Sequence, residues 1–207
     1  MKETYLSRDF RETAAQCFPS QAKELNAFFD ARLNVLLAEN ADASKEKQYH
    51  LKRQILPGIA AYETLQRVMP KEEALQTVHG YVEELARTSH KELARTSHKQ
   101  LAALLHIPGL YRLVPGVFAK STRSVFGPAA GFDSKELQVG NGIWRVDMMK
   151  CPYHDTCVAY GCPELCCCFC DSDDISYTGL HPKLIWHRTK TLGRGDDRCD
   201  FCMKIMK

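Results

Sequence analysis

The chain has 207 residues, of which 44% are hydrophobic and 26% are charged, and its formal net charge is +3. These values are ordinary for globular proteins and exclude a disordered tail protein or a fibrous repeat, while the length suits one domain or one domain with a helical extension. Because the net charge is small and no Lys/Arg cluster resembles a phosphate-binding stripe, nucleic acid is not the expected partner.

The N-terminus carries charges where a signal peptide has its apolar stretch, and no apolar run reaches the roughly 18 residues of a membrane span. We therefore expect a soluble, cytoplasmic protein that acts on a small molecule, without nucleic-acid or membrane partners. The sequence does not predict an oligomeric state.

Helical spacing dominates from about residue 20 to residue 105. Apolar residues between Leu25 and Leu37 form one stripe after Ser20, a candidate N-cap, and a second stripe from Leu51 to Val68 is interrupted at Pro57-Gly58. Pro70 then precedes a third helix that begins at Lys71. We predict at least three helices, with a kink or break at Pro57.

The third helix leads into a tandem repeat, ELARTSHK, at Glu84–Lys91 and Glu92–Lys99. Eight helical residues advance by about 800°, so the second copy is turned by about 80° and cannot continue the same buried stripe. We interpret the repeat as a local duplication that lengthens an exposed helix, with His90 and His98 in solvent.

Between Gly109 and Gly127 a short amphipathic segment carries three basic residues. They can bind an anionic group, although a solvated face is the favoured interpretation. These residues are Arg112, Lys120 and Arg123.

Strand patterns follow. Leu137–Gly140 and Ile143–Met149 flank the hairpin turn Asn141-Gly142, and two further strands are predicted at Leu184–Leu192 and Cys199–Ile205. The predicted fold is α+β, with N-terminal helices packed on a C-terminal antiparallel sheet that has a Cys-rich helical insertion. We expect a single domain, with a helical part at 1–127 and a Cys-rich α+β part at 128–207.

Ten cysteines are distributed unevenly, because only Cys17 precedes residue 151. Without a secretory signal, a disulfide framework is not expected, and reduced thiols fit a cytoplasmic protein. The segment 151–183 combines most of these thiols with carboxylates and two histidines. If 164–177 is helical, Cys166 and Cys170 share a face with Asp173 or Asp174, and Cys167 points elsewhere.

A structural zinc site is an alternative use of these thiols. Cys199 and Cys202 have a two-ligand spacing, and Cys166 and Cys170 can complete the set. Residues three apart on a strand point to opposite faces, however, so Cys199 and Cys202 do not readily bind one ion. We therefore predict no metal cofactor, with zinc as the alternative.

A series of short blocks marks the C-terminal part of the chain: Gly161, PEL at 163–165, FCDSDD at 169–174, HPKLIWHRT at 181–189, TLGRG at 191–195 and CDF at 199–201. By the order and spacing of these blocks, the stretch Cys157–Phe201 resembles the C-terminal half of the L-2-amino-thiazoline-4-carboxylic acid hydrolase family. One strand pair also resembles 4-vinyl reductase type sensor domains, in which a glutamate and a cysteine help to bind zinc; here Arg188 and Thr191 stand at those positions.

The first resemblance implies hydrolysis of a cyclic amidine-like C=N bond in a thiazoline ring that carries a carboxylate. Such chemistry needs a nucleophile or activated water, a carboxylate for the amidinium and a cation for the substrate carboxylate. The residues of suitable type are Cys170 as nucleophile with Cys199 as second choice, Asp171 and Asp174 for the amidinium, His181 as base, and Arg188 for the substrate carboxylate.

Each assignment has a structural alternative. Either thiol can simply be packed, the carboxylates can serve a helix turn, His181 can be an exposed loop residue, and Arg188 can pair with Asp200 on the neighbouring strand. At the level of function, the alternative to an enzyme is a small-molecule-binding or zinc-binding sensor-like module without catalysis.

Overall fold

A computed structural model describes residues 3–88 and 98–206. Residues 89–97 include most of the tandem repeat, so the prediction about its helix lies outside the described residues. The helices are α1 Tyr5–Cys17, α2 Ala22–Glu39, α3 Lys45–His50, α4 Leu56–Leu65, α5 Lys71–Thr88, α6 His98–Leu105, α7 Val114–Ser124, α8 Pro152–Ala159 and α9 Leu165–Tyr177, and the strands are β1 Asp133–Gly140, β2 Ile143–Lys150, β3 Leu184–His187 and β4 Cys199–Ile205.

The N-terminal helices follow the apolar stripes of the sequence. In α2 the buried side chains are Leu25, Phe29, Leu33 and Leu36, all at helical spacing. The predicted start of the third helix at Lys71 is confirmed as the first residue of α5. Burial of these stripes against one another forms the larger part of the apolar core.

The predicted interruption near Pro57 takes the form of a π-helical turn, Leu51–Ile55, between α3 and α4. The N–H of Leu56 bonds the carbonyl of Leu51, five residues back. Pro57 follows as the second residue of α4, and because it has no N–H it donates no backbone bond to the turn before it. The predicted break at Pro57 is wrong, because the chain stays helical from Lys45 through the proline to Leu65.

The four strands form an antiparallel sheet in the order β1-β2-β4-β3. Asn141 and Gly142 both have positive φ, of 52° and 77°, which confirms the predicted hairpin turn between β1 and β2. On β2, Trp144, Val146 and Met148 alternate towards the interior. The fold is thus α+β, as predicted from the sequence.

The prediction of a strand over Leu184–Leu192 is wrong in its second half, because β3 ends at His187. The backbone N–H groups of Thr189 and Lys190 donate to the Asp200 carboxylate instead of a neighbouring strand, at 2.8 and 2.5 Å. The Asp200 side chain therefore accepts hydrogen bonds that a neighbouring strand would accept in a sheet, and the chain leaves the sheet at Arg188.

Helix α9 connects the two halves of the core. Near its N-terminus Cys166, Cys168 and Phe169 are buried in the cluster formed with the N-terminal helices. At its C-terminus Tyr177 is buried with Trp144 and other side chains of the sheet. One helix therefore places its central residues between the N-terminal helices and the sheet.

Within the described residues, no single helix is long and apolar enough to cross a membrane. The bent pair Lys99–Leu105 and Leu110–Ser124, with an angle of 105° between them, meets the same length and composition criterion only when both are taken together.

Close packing of α4 on α9 can be tested by substitution of Gly58, with a glycine of α5 as the control. A Cβ on Gly58 would lie 2.8 Å from Cζ of the buried Phe169 ring, so Gly58→Ala is expected to destabilise the protein by about 1–3 kcal/mol. Gly80, exposed in α5, has no atom within 4 Å of such a Cβ, and Gly80→Ala should stabilise by about 0.5–1 kcal/mol. Urea unfolding of both variants measures the difference; equal effects would contradict this packing.

Candidate active site

A cavity of about 210 Å³ lies between α9, the inner face of the sheet and the N-terminal helices. Apolar and aromatic side chains form most of its lining, and a few polar groups converge on it, which is the usual composition of a small-molecule site. Three of the residues proposed from the sequence line this cavity, namely Cys170, Arg188 and Cys199.

Cys170 lies on α9, one turn after Cys166, and the two sulfur atoms are 3.8 Å apart. This confirms the prediction that the two thiols share a face of the helix. The hydrogen bond from the Cys166 thiol lowers the pKa of Cys170, and the positive charge of Arg188 and a backbone N–H of Gly193 act in the same direction against the effect of burial. The same hydrogen bond and burial raise the pKa of Cys166. Cys170 is thus the member of the pair that ionises more readily.

The TLGRG segment forms a short 3₁₀ turn, Leu192–Arg194, that covers the sulfur atoms of Cys166 and Cys170 on α9. A Cβ on Gly193 would lie 3.1 Å from the Sγ atoms of Cys166 and Cys170, so only glycine allows this approach without displacing the thiols. The N–H of Leu192 donates to Cys199 Sγ at 3.3 Å. The turn therefore directs backbone donors at two of the cavity thiols.

Cys199, at the start of β4, ionises less readily than Cys170. Its side chain is buried, and burial raises its pKa to about 12, although the N–H of Leu192 opposes this. At neutral pH it is a protonated thiol, and nucleophilic attack requires the thiolate.

Arg188 is the charged centre of the cavity, with a side chain only 3% exposed. Its Nη2 donates to the Cys170 carbonyl at 3.1 Å and forms a short hydrogen bond with Asp174. Nη1 lies 3.7 Å from an Asp173 oxygen and, among the described residues, has no hydrogen-bond partner. Burial lowers the pKa of Arg188, but Asp173 and Asp174 raise it by more, so the guanidinium stays charged.

The pairing of Arg188 with Asp200, the structural alternative considered above, is not what the structure shows. Asp200 accepts hydrogen bonds from Thr189 and Lys190 and closes the turn after β3. Arg188 lies one residue beyond the end of β3, outside the sheet, and its side chain contacts α9 instead of β4.

Asp171 and Asp174 have other partners. Asp171 lies outside the cavity lining, bonded to His79 at 3.1 Å and to Arg194 at 2.6 Å. Asp174 binds Arg188 and accepts from Trp186 Nε1 at 2.7 Å. The carboxylate of this block that lines the cavity is Asp173, on the α9 face of Cys166 and Cys170.

His181 also lies away from the cavity lining. Its ring stacks on Tyr111 at 4.4 Å, and its Nδ1 accepts the N–H of Lys183 at 3.0 Å. Burial and the nearby His106 lower its pKa. Neither Asp171 nor His181 therefore lies where it contacts a ligand in this cavity.

Two functional candidates were missed by sequence reasoning. His50, at the end of α3, is 3% exposed and lines the cavity together with Tyr153. Its Nδ1 lies 3.2 Å from the Tyr153 hydroxyl, which also lies 2.6 Å from Gln54 Oε1, and its Nε2 lies 2.9 Å from the Val125 carbonyl. These residues are about 100 positions apart in the chain, so no local motif connects them.

A third cysteine, Cys151, lies just before α8 and also lines the cavity. Burial raises its pKa, so we interpret it as a packed thiol. Among residues 3–88 and 98–206, no group of three or more His, Cys, Asp or Glu side chains has the arrangement of a metal site.

Comparison with known proteins gave one family. A family model described as L-2-amino-thiazoline-4-carboxylic acid hydrolase matches residues 48–203. The match begins in α3, beside His50, and ends in β4, so it covers every cavity residue discussed above. No finding supports the further similarity to 4-vinyl reductase type domains. No curated protein and no solved structure matched the chain.

The difference between the cavity thiols predicts a pH-dependent labelling pattern. Cys170 should react with iodoacetamide at a lower pH than an ordinary thiol, whereas Cys199, with a pKa of about 12, should stay unlabelled near neutral pH. Removal of the main stabilising hydrogen bond in Cys166→Ala should shift the Cys170 profile to higher pH. Peptide mass spectrometry measures both.

The matched control for this experiment is Cys202→Ala, because Cys202 lies on β4 but does not line the cavity. It should leave the Cys170 profile unchanged. An equal shift in both variants would show that Cys166 has no specific influence on Cys170.

Proposed function

Because the chain belongs to the L-2-amino-thiazoline-4-carboxylic acid hydrolase family, we propose that it opens a small cyclic amidine or thiazoline carboxylate by hydrolysis of a ring carbon–nitrogen bond. The observation that carries the proposal is the presence of Cys170, whose pKa is lowered, in the same cavity as the buried guanidinium of Arg188. A nucleophile and a carboxylate-binding group are thus available to one ligand.

Binding of the substrate uses opposite charges in the cavity. Arg188 Nη1 has no hydrogen-bond partner among the described residues and can donate to the ring carboxylate, and a carboxylate in this position offsets the cost of a buried unpaired donor. Asp173 lines the same cavity and attracts the protonated amidine. The ring is then held by both of its charged groups.

Chemistry proceeds at the amidine carbon. The Cys170 thiolate adds to this carbon of the protonated ring, the ring carbon–nitrogen bond breaks, and the nitrogen leaves as an amine after it gains a proton. Water then adds to the Cys170-bound carbon and loses two protons overall, and the carbon–sulfur bond to Cys170 breaks to regenerate the thiolate. One water is consumed, and a carbon–nitrogen bond is replaced by a carbonyl.

Proton transfer needs a group that can donate to the leaving nitrogen and accept from water. In this proposal the hydrogen-bonded pair of His50 and Tyr153 fills the role, because both line the cavity and both side chains can donate and accept a proton. The aromatic and aliphatic lining keeps bulk water away from the covalent intermediate.

Replacement of the nucleophile tests the covalent step. Cys170→Ala should lower kcat for 2-amino-thiazoline-4-carboxylate by about 100-fold or more, since an alanine cannot form the carbon–sulfur bond. Cys202→Ala, which lies outside the cavity, should retain the rate of the unmodified protein. Turnover and melting temperature are measured for both variants.

Two results would contradict the role of Cys170, and a third would contradict catalysis itself. Full turnover by Cys170→Ala rules out covalent catalysis by that thiol, and loss of activity in Cys199→Ala alone transfers the role to Cys199. Binding of the thiazoline without turnover by the unmodified protein indicates a sensor-like module.

Replacement of the guanidinium tests recognition of the carboxylate. Arg188→Lys should raise KM by about tenfold, because lysine keeps the charge but cannot donate to Asp174 and to the substrate in the same planar arrangement. The exposed Arg123, which binds Glu136 through two nitrogens, offers the control Arg123→Lys. Affinity for an analogue without the carboxylate should be the same before and after Arg188→Lys; an equal loss for both ligands would contradict the assignment.

A further inference from the structure

The cavity has an aromatic surface that the proposed reaction does not use. Five of the aromatic rings that line it form a connected row, with Phe118–Tyr177 at 4.7 Å, Tyr177–Trp186 at 4.9 Å and Trp186–Phe201 at 5.6 Å between ring centres. Trp144 lies 5.0 Å from Phe118. We refer to Phe118, Trp144, Tyr177, Trp186 and Phe201 as the aromatic wall.

The aromatic wall adjoins the reacting groups directly. The Arg188 guanidinium lies over the Phe201 ring, 5.6 Å from its centre, and Trp186 Nε1 donates to Asp174, which holds Arg188. A ligand whose carboxylate binds Arg188 therefore has this wall beside it. Both tryptophans of the chain belong to the wall.

A thiazoline with only amino and carboxylate substituents leaves this wall without an apolar partner. Aromatic surface of this kind contributes to affinity when an apolar group of the ligand covers it. The wall also carries an unused donor: Trp144 is 4% exposed, and its Nε1 has no hydrogen-bond partner among the described residues. A buried N–H in that state is stabilised by a ligand acceptor.

We propose, building on the function proposed above, that the physiological substrate is a cyclic amidine carboxylate with a flat apolar substituent that packs on the aromatic wall. A hydrogen-bond acceptor on this substituent pairs with Trp144 Nε1. Arg188 binds the carboxylate end and the wall selects the substituent, so that the small thiazoline acid is only the reacting part of the ligand.

Aromatic thiazoles serve as probes because their rings resist hydrolysis. Three are compared: 2-aminothiazole-4-carboxylate, its 5-phenyl derivative and its 5-(acetylphenyl) derivative, which adds an acceptor. Calorimetry gives Kd, and quenching of tryptophan fluorescence reports contact with the wall. The phenyl derivative should bind at least tenfold tighter than the parent, a difference of about 1.4 kcal/mol, and the acetylphenyl derivative tighter again.

Trp144→Phe removes the indole N–H and keeps an aromatic ring. It should abolish the additional gain of the acetylphenyl derivative over the phenyl derivative, with Kd for the parent thiazole as the control for an intact polar site. If this variant does not fold, the order of the three probes on the unmodified protein still decides the proposal. A phenyl derivative that binds no tighter than the parent, or no binding by any probe, overturns it.

Turnover separates this inference from the proposed hydrolysis. Hydrolysis of 2-amino-thiazoline-4-carboxylate together with no preference for the phenyl probe overturns the inference alone. Probes that bind in the expected order, without hydrolysis of the thiazoline or of its 5-phenyl derivative, support the inference on the ligand and overturn the reaction.

Discussion

The candidate site depends on the contacts between the buried guanidinium of Arg188 and helix α9. A charge that is 3% exposed is costly unless it is paired, and here two carboxylates of α9 and the Cys170 carbonyl provide its partners. These contacts join the chain that follows β3 to the middle of α9. They hold Cys170, the proposed nucleophile, together with Asp173 and the guanidinium at one cavity, and they keep the guanidinium charged.

The abundance of cysteine does not mean that many thiols react. Cys166, Cys168 and Cys199 are buried, and burial contributes to a raised pKa in each. Cys170 is the exception, because the Cys166 thiol, Arg188 and the Gly193 N–H together favour its thiolate. The packed cysteines thus behave as small apolar residues, and one of them, Cys166, also donates a hydrogen bond to the sulfur of Cys170.

The cavity combines two kinds of recognition. Charged groups at Arg188 and Asp173 suit the two ends of an amidine acid, whereas the aromatic wall suits an apolar group. Because α9 contributes Cys170, Asp173 and Tyr177 at helical spacing, a single helix face supplies both the proposed nucleophile and part of the aromatic wall. In the proposed function, the spacing of these residues along α9 therefore sets the distance between the reacting atoms of a ligand and its apolar substituent.

Local patterns in the sequence were sufficient for much of the fold. The start of α5 after Pro70, the turn at Asn141-Gly142 and the shared face of Cys166 and Cys170 all follow from short-range rules of backbone geometry. The C-terminal blocks also identified the family that the match to residues 48–203 shows. The end of β3 was misplaced, because the Asp200 side chain, 10 residues further on than Lys190, takes the bonds that a strand would use.

Helical spacing tells which residues share a face, but only tertiary packing decides which face meets a cavity. Sequence reasoning favoured Asp171 and Asp174. Packing of α9 on α5 turns Asp171 towards His79, and Arg188 binds Asp174. Asp173 is then the carboxylate of this block that lines the cavity. Likewise His50 lines the cavity and His181 does not. The contacts that place these two histidines, with Tyr153 and Tyr111, join segments far apart in the chain. The sequence by itself determined several of the helices, the hairpin and the family, whereas the membership of the candidate site was decided by long-range contacts that no local pattern encodes.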